Sequence, residues 1–270
     1  MDSQTLLKLQ ETEFEILCDI DAFCRKYDIK YSLYAGTALG AVRHKGFIPW
    51  DDDIDIAMTR VEYDKFCETW IKTPLSGYYL ESILTDDRCG ICHAKVRKNN
   101  TILLSEGEDE NQGHHGIWVD IFPLDKISLA PKFRKKKFKI GRELILLTRS
   151  NVTMTTDGIA KKLVRAIVRI VPQKARANRA IKLHKWLVKH MEDGNEAGFE
   201  WKSMAANKYI DGYHLNPDLD SGYTQIMFNN ICFSVFEKYD EMLKSTFGDY
   251  MVLPPEADRV CKHNPIKIQF

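Results

Sequence analysis

Apolar and polar positions first alternate along the chain with a helical period. Residues 4 to 28 carry Leu6, Leu9, Phe14, Leu17, Ile20, Cys24 and Tyr27 at mostly three- and four-residue spacing among polar residues, which predicts an amphipathic helix. The period then shortens. KYSLYA, Lys30 to Ala35, reads as a short strand, and Gly36-Thr37 followed by ALGAVRHKG reads as a turn opening a short helix. Ile54 and Ile56 alternate with Asp53 and Asp55, so a strand here sets both carboxylates on one face and both isoleucines on the other. VEYDKFCETWIK predicts a helix; YYLESILT, CHAKVRK and GIWVDIFPL predict strands; EGEDENQGHHG is a loop by composition.

From 131 to about 190 the pattern is helical. In KKLVRAIVRIV, Leu163, Val164, Ile167, Val168 and Val171 share one side, and Lys162, Arg165 and Arg169 share the other. FEKYDEMLKSTFGDYM predicts a last helix, closed by Gly248 ahead of Pro254-Pro255. No internal repeat and no low-complexity tract interrupts this order.

Length and composition bound these elements. With 270 residues, 44% of them hydrophobic, the chain can bury a core as one domain, or as a domain with an embellishment. No run approaches the roughly 18 apolar residues of a membrane span, and the first residues carry acids where a signal peptide carries bases, so a cytoplasmic location is expected. Seven scattered cysteines point to reduced thiols. The formal charge is +1, but residues 131 to 190 hold 18 Lys and Arg against Glu143 and Asp157, a block of +16 beside a remainder of −15. Such asymmetry implies an anionic partner for the block.

The candidate chemistry lies in GFIPWDDDIDIAM. Four aspartates, Asp51, Asp52, Asp53 and Asp55, sit between apolar residues, where like charges repel unless a cation holds them. Asp120 is another lone acid in an apolar strand, GIWVDIFPLD, costly to bury without a cation. Asp53, Asp55 and Asp120 are therefore expected to form one site for Mg²⁺ or Mn²⁺, with the Gly36-Thr37 turn holding phosphate oxygens through backbone amides. The plain alternative is a solvated turn at Asp51 to Asp53, with Asp55 and Asp120 paired to lysines.

Two stretches carry a resemblance. GTALGAVRHKGFIPWDDDIDI and WVDIFPLD, in that order, resemble the LicD family of phosphotransferases, related to fukutin-type ribitol phosphate transferases. The likeness covers most of the first 125 residues and returns weakly in FGDYMVLPPEADRVCKH, with Phe247 where the family often has Tyr. It implies an α+β, nucleotidyltransferase-like mixed sheet flanked by helices. Between 131 and 220 composition alone guides the division, into a catalytic core at 1–130, a basic helical insertion at 131–195, and a C-terminal part at 196–270 completing the catalytic domain. The resemblance also implies a CDP-activated alcohol as donor, transfer of its phospho-alcohol to a glycan hydroxyl, and release of CMP; the sequence does not choose among choline, ribitol, glycerol and ethanolamine, and CDP-choline is taken as the first expectation. Asp53, Asp55 and Asp120 match the family's metal-binding carboxylates and Gly36-Thr37 its Gly-Ser turn, and Asp120 becomes the candidate proton acceptor.

Other residues are weighed beside these. Arg43, Lys45, Lys95 and Arg97 can clamp a diphosphate or simply be solvated. His114 or His115, on the loop before the Asp120 strand, can reach the acceptor, while Arg259 and His263 carry weaker signals. Cys89, Cys92 and His93 spell C-x-x-C-H, which reads as chance here. A quaternary ammonium needs an aromatic face, for which Trp50, Trp118 and Tyr34 are available, though core packing is the commoner role. The basic block fits an anionic membrane surface bearing a lipid-linked acceptor. Rival readings are a nucleotide-sugar glycosyltransferase, an aspartyl-phosphate phosphatase, and a non-catalytic polyanion-binding protein; no nucleic-acid partner is expected.

Overall fold

The computed structural model describes residues 1–86, 93–105, 110, 113–148, 158–190, 193, 199–202, 219, 221–261 and 265–270. Helix α1 (Ser3–Lys26) begins where the Asp2 carboxylate accepts hydrogen bonds from the Gln4 and Thr5 amides at 3.0 and 2.9 Å. Its stripe of Leu9, Ile16, Leu17, Ile20 and Phe23 is buried. There follow β1 (Ser32–Leu33), α2 (Ala35–His44), β2 (Asp55–Thr59), α3 (Arg60–Lys72), β3 (Tyr78–Glu81), β4 (Ala94–Lys98), β5 (Ile102–Ser105) and β6 (Trp118–Ser128). Three helices come next, α4 (Pro131–Thr148), α5 (Ile159–Ile170) and α6 (Gln173–Lys189), then β7 (Phe199–Lys202), β8 (Tyr223–Phe228), β9 (Ile231–Phe236), α7 (Tyr239–Phe247) and β10 (Pro265–Gln269).

The main sheet runs β1-β2-β6-β4-β3, with β7 paired to the far end of β6. Only β2 and β6 are parallel among these pairs. Helices flank this mixed sheet, and one apolar cluster runs from Leu9 in α1 through Ile56, Val96 and Val119 to Phe233, Leu243 and Tyr250. Late residues thus pack in the same core as early ones.

Several sequence expectations need correction. Only Ser32 and Leu33 of the 30–35 segment are strand, because Ala35 already opens α2. The acidic strand begins at Asp55 rather than Asp53, although Ile54 still accepts from the Asp120 amide (2.9 Å). Strand β3 stops at Glu81, where Ser82 and Thr85 close a turn on each other. The last helix starts at Tyr239, because Phe236 belongs to β9. The β8–β9 hairpin and the β5–β10 pair were not foreseen. The hairpin turns at Asn229-Asn230, both left-handed (φ 47° and 64°), a conformation asparagine tolerates better than most residues.

Nor is the basic block one solvated surface. α4 and α6 pack around Leu144, Ala180, Leu183 and Leu187 in a smaller core with Ile83. Lys137 is buried there and donates to the Asp193 carbonyl (3.2 Å). No helix of the described residues is long and apolar enough to cross a membrane.

Candidate active site

Strand register builds the centre of the site. Asp55 on β2 pairs with Asp120 on β6, and Asp120 with Lys95 on β4, so three charged side chains form a row across neighbouring strands on one face. Alternation sends Ile54, Ile56 and Ile121 into the core instead.

Asp120 is held by three donors. Lys95 Nζ lies 3.2 Å from one carboxylate oxygen, His93 Nε2 hydrogen-bonds to that same oxygen at 2.7 Å, and Trp118 Nε1 donates to the other at 3.0 Å. Burial alone would raise the affinity of Asp120 for a proton, but the Lys95 charge, with His93 and the hydrogen bonds, outweighs it and holds the carboxyl well below the usual range. Asp55 is pushed the opposite way, well above its ordinary value, by burial and then by Asp53 and Asp120. Two facing carboxylates therefore differ sharply in proton affinity.

The acidic loop lies beside this row. Asp51, Asp52 and Asp53 present carboxylate oxygens within 4.8 Å of one another, a set of hard donors that suits Mg²⁺ or Mn²⁺. Asp52 is only 2% exposed and Asp51 and Asp53 are half-buried, so the loop is not an open solvated turn, although the pairing of Asp120 with a lysine, the other half of that alternative, holds for Lys95. Among the described residues this trio, rather than Asp53 with Asp55 and Asp120, is the one gathered to ligand spacing. Gln10 of α1 donates to the Asp51 carbonyl (2.8 Å) and ties the loop down.

Three residues on in α1, Glu13 is 1% exposed, and its Oε2 has no hydrogen-bond partner. Burial, then Asp53, Asp52 and Asp51, raise its carboxyl well above the ordinary 4.5. Sequence reading missed Glu13, although a lone acid in the apolar stripe Leu6, Leu9, Ile16, Leu17 was a visible signal.

The start of α2 closes over the same loop. The Tyr34 amide donates to the Asp55 carbonyl (3.0 Å), and the Thr37 hydroxyl accepts from the Asp55 amide (2.8 Å). Thr37 is buried, so its side chain braces the acidic strand. Between these ties Ala35 is held at φ 44°, a left-handed geometry that costs a residue with a Cβ about 1 kcal/mol or more. A Cβ at Gly36 would sit 2.6 Å from Asp51 Oδ2, so any larger residue there must displace that carboxylate. First-turn amides lack intrahelical partners, which makes this start a receptive place for phosphate oxygens.

The other expected residues fall differently. Arg43 donates to the Tyr250 carbonyl (2.8 Å) and anchors the C-terminal segment, which brings Arg259 over the Trp50 ring at 5.7 Å. Lys45 is the left-handed C-cap of α2. Arg97 is buried and bound to Glu81 and the Gly116 carbonyl, so it is structural. His114 is used up by Asn99 (2.9 Å), the Gly116 amide and stacking on Tyr79; His115 contributes its carbonyl to the Leu103 amide (2.6 Å). The Trp118 ring is covered by Lys95 at 3.8 Å, whereas His93 stacks on Phe122 and Tyr34 lies tilted against Phe122, beside Asp120. His93, dismissed as part of C-x-x-C-H, is thus a site residue; its period-two relation to Lys95 was the signal available. Cys89, Cys92 and His263 lie outside the described residues. Asp125 of the D-I-F-P-L-D stretch faces away from this chemistry: fully buried, it takes both forks of Arg60 (2.7 and 3.1 Å).

Comparison with known proteins gives the family of the chain. Residues 28–152 match the family described as LicD/FKTN/FKRP, nucleotidyltransferase domain. The lipopolysaccharide cholinephosphotransferase LicD of Haemophilus influenzae is 32% identical over 97% of both chains. An uncharacterized protein of Rickettsia typhi is 32% identical over 47% of this chain and 39% of its own.

Proposed function

The chain belongs to the LicD family, and from that premise we propose that it is a metal-dependent phosphotransferase that moves phosphocholine from CDP-choline to a hydroxyl of a cell-surface glycan precursor and releases CMP. The observation that carries this reading is the Asp55–Asp120–Lys95 row lying beside the Asp51–Asp53 cluster and under the α2 start. Oxygen donors of that kind serve diphosphate chemistry. The H. influenzae relative's name supplies choline as the alcohol and lipopolysaccharide as the acceptor class.

Asp51, Asp52 and Asp53, gathered at ligand spacing, would hold Mg²⁺ or Mn²⁺, and Asp55 and Asp120 would extend the donor set. A cation bound there supplies charge neutralisation for the donor diphosphate. The chain's own groups do the rest. Amides of Gly36 and Thr37 receive phosphate oxygens, and Lys95 offers its ammonium from the strand beside Asp120. The acceptor hydroxyl attacks the phosphorus that carries choline, the bond from that phosphorus to the bridging oxygen breaks, and CMP leaves with the bonding pair. Asp120, held ionised, orients the hydroxyl. It takes the proton late, because the hydroxyl becomes acidic only as its bond to phosphorus forms. Tyr34 and Phe122 provide aromatic faces for the quaternary ammonium.

Residues 1–130 and 196–270 then form the catalytic domain and 131–195 a basic insertion. The protein works in the cytoplasm on a lipid-linked acceptor at an anionic membrane surface.

The test is nucleotide release with Mg²⁺ or Mn²⁺ from CDP-choline, CDP-ribitol, CDP-glycerol and UDP-sugars, using a mixed glycan acceptor. CMP from CDP-choline, lost in Asp53→Asn, is the expected result. CMP from another donor changes the alcohol. UDP release, or phosphate release without acceptor, would replace the reading with a glycosyltransferase or a phosphatase.

A further inference from the structure

Of the three helices between β6 and β7, α5 is built inside out. Advancing about 100° per residue, Ile159, Leu163, Val164, Ile167, Ile170 and Val171 occupy one arc of about 140°, and the bases occupy the opposite one. In a helix that serves a core the apolar arc turns inward. Here Ile159 is 80% exposed, Leu163 59%, Ile167 64% and Ile170 81%, while Arg165 is the buried residue. Nineteen large apolar residues are exposed among the described residues, and six are on this one helix and its C-cap. α4 and α6 bury their own apolar faces against each other, so the exposure is peculiar to α5.

Charge indicates what covers it. Lys162 and Arg169 are exposed on the polar side of the helix, no acid occurs in α5, and the surrounding block carries a surplus of +16. A protein groove would meet the apolar arc but has no reason to suit so many bases. An anionic bilayer suits both at once, with apolar side chains among the acyl chains and bases at the headgroups. We propose that α5 is an interfacial helix that lies in the surface of an anionic phospholipid bilayer, apolar arc inward, and docks the protein there. This deepens the reading of a membrane-presented acceptor but rests on α5 alone and not on the donor chemistry.

The experiment is co-sedimentation of the full chain with phosphatidylglycerol/phosphatidylcholine vesicles and with phosphatidylcholine vesicles. The expected result is partition to the anionic vesicles, weakened by salt, with about fivefold loss for each exposed base of α5 neutralised. Leu163→Asp with Ile167→Asp should abolish binding, leave the melting temperature unchanged, and leave turnover on a soluble acceptor intact. Three results overturn the proposal: no partition by the unaltered chain, partition that survives the double substitution, or a double variant that melts early or changes oligomeric state. The last would show that the arc packs against this protein or a second copy. CMP release failing while vesicle binding holds would sink the proposed reaction and leave this inference standing.

Discussion

Replacing Glu13 by Gln tests the electrostatics of the site without touching a proposed ligand. Glu13 is buried against the acidic loop with Oε2 unbonded, and its carboxyl is raised well above 4.5 by burial and then by Asp53, Asp52 and Asp51. In the unfolded chain it ionises near 4.5; in the folded chain it keeps its proton to higher pH. The folded state therefore binds more protons in that interval, and stability is full below pH 4.5 and lost as pH rises toward the folded value. Glutamine has no proton to lose, so it removes this penalty and should gain stability above pH 4.5. Relaxation and the needs of the new amide bring the expected gain to roughly 1–2 kcal/mol, or about 2–8 °C in melting temperature for a chain of this size. The assay is thermal melting in EDTA from pH 4.5 to 8 for both proteins. Their curves should converge at the acid end and separate steadily above it. Adding Mg²⁺ should stabilise the parent chain more than the variant, because a cation at Asp51–Asp53 offsets the charges that oppose ionisation of Glu13. Parallel curves, or a variant that melts lower at pH 7.5, would refute the reasoning.

Other consequences follow from single contacts. Arg60→Met strands Asp125, a fully buried carboxylate, and should cost about 3–5 kcal/mol in urea unfolding, with much of it recovered by adding Asp125→Asn. Gly36→Ala drives a methyl against the Asp51 carboxylate, so CMP release should fall at least about tenfold while the far-ultraviolet circular dichroism stays unchanged. His184 is buried neutral, its pKa pushed down to about 3 by burial and then by Arg60, so its contribution holds above pH 6.5 and is lost as pH falls toward 3. His184→Gln should flatten the acid side of the stability profile, and an unchanged acid slope would remove His184 as its cause.

Much of the site was legible because its parts are local. The alternation around Asp53 to Ile56, the lone Asp120 among apolar residues and the Gly36-Thr37 turn announce themselves within a few positions, and their order along the chain was enough to identify the family. Residues that work through another segment were harder to read. His93 was hidden in a misleading spacing, and Glu13 belonged to a helix that seemed only structural. Arg43 could be read equally as a phosphate ligand or a solvated base, and Arg97 more readily as solvated; their carbonyl and carboxylate partners show both to be structural. The β8–β9 hairpin was overlooked although Asn229-Asn230 between two alternating runs is a turn signal.

By itself, the sequence determined which residue types are available, which of them share a strand face, and that the basic charge is concentrated in one helical stretch, since periodicity and composition are properties of neighbours. Tertiary structure decided the pairings: Asp55 beside Asp120 beside Lys95, Glu13 under the acidic loop, Arg259 over Trp50, and the apolar arc of α5 facing out. Strand register and helix docking are set by burial summed over the whole core, and no short window of sequence contains that sum.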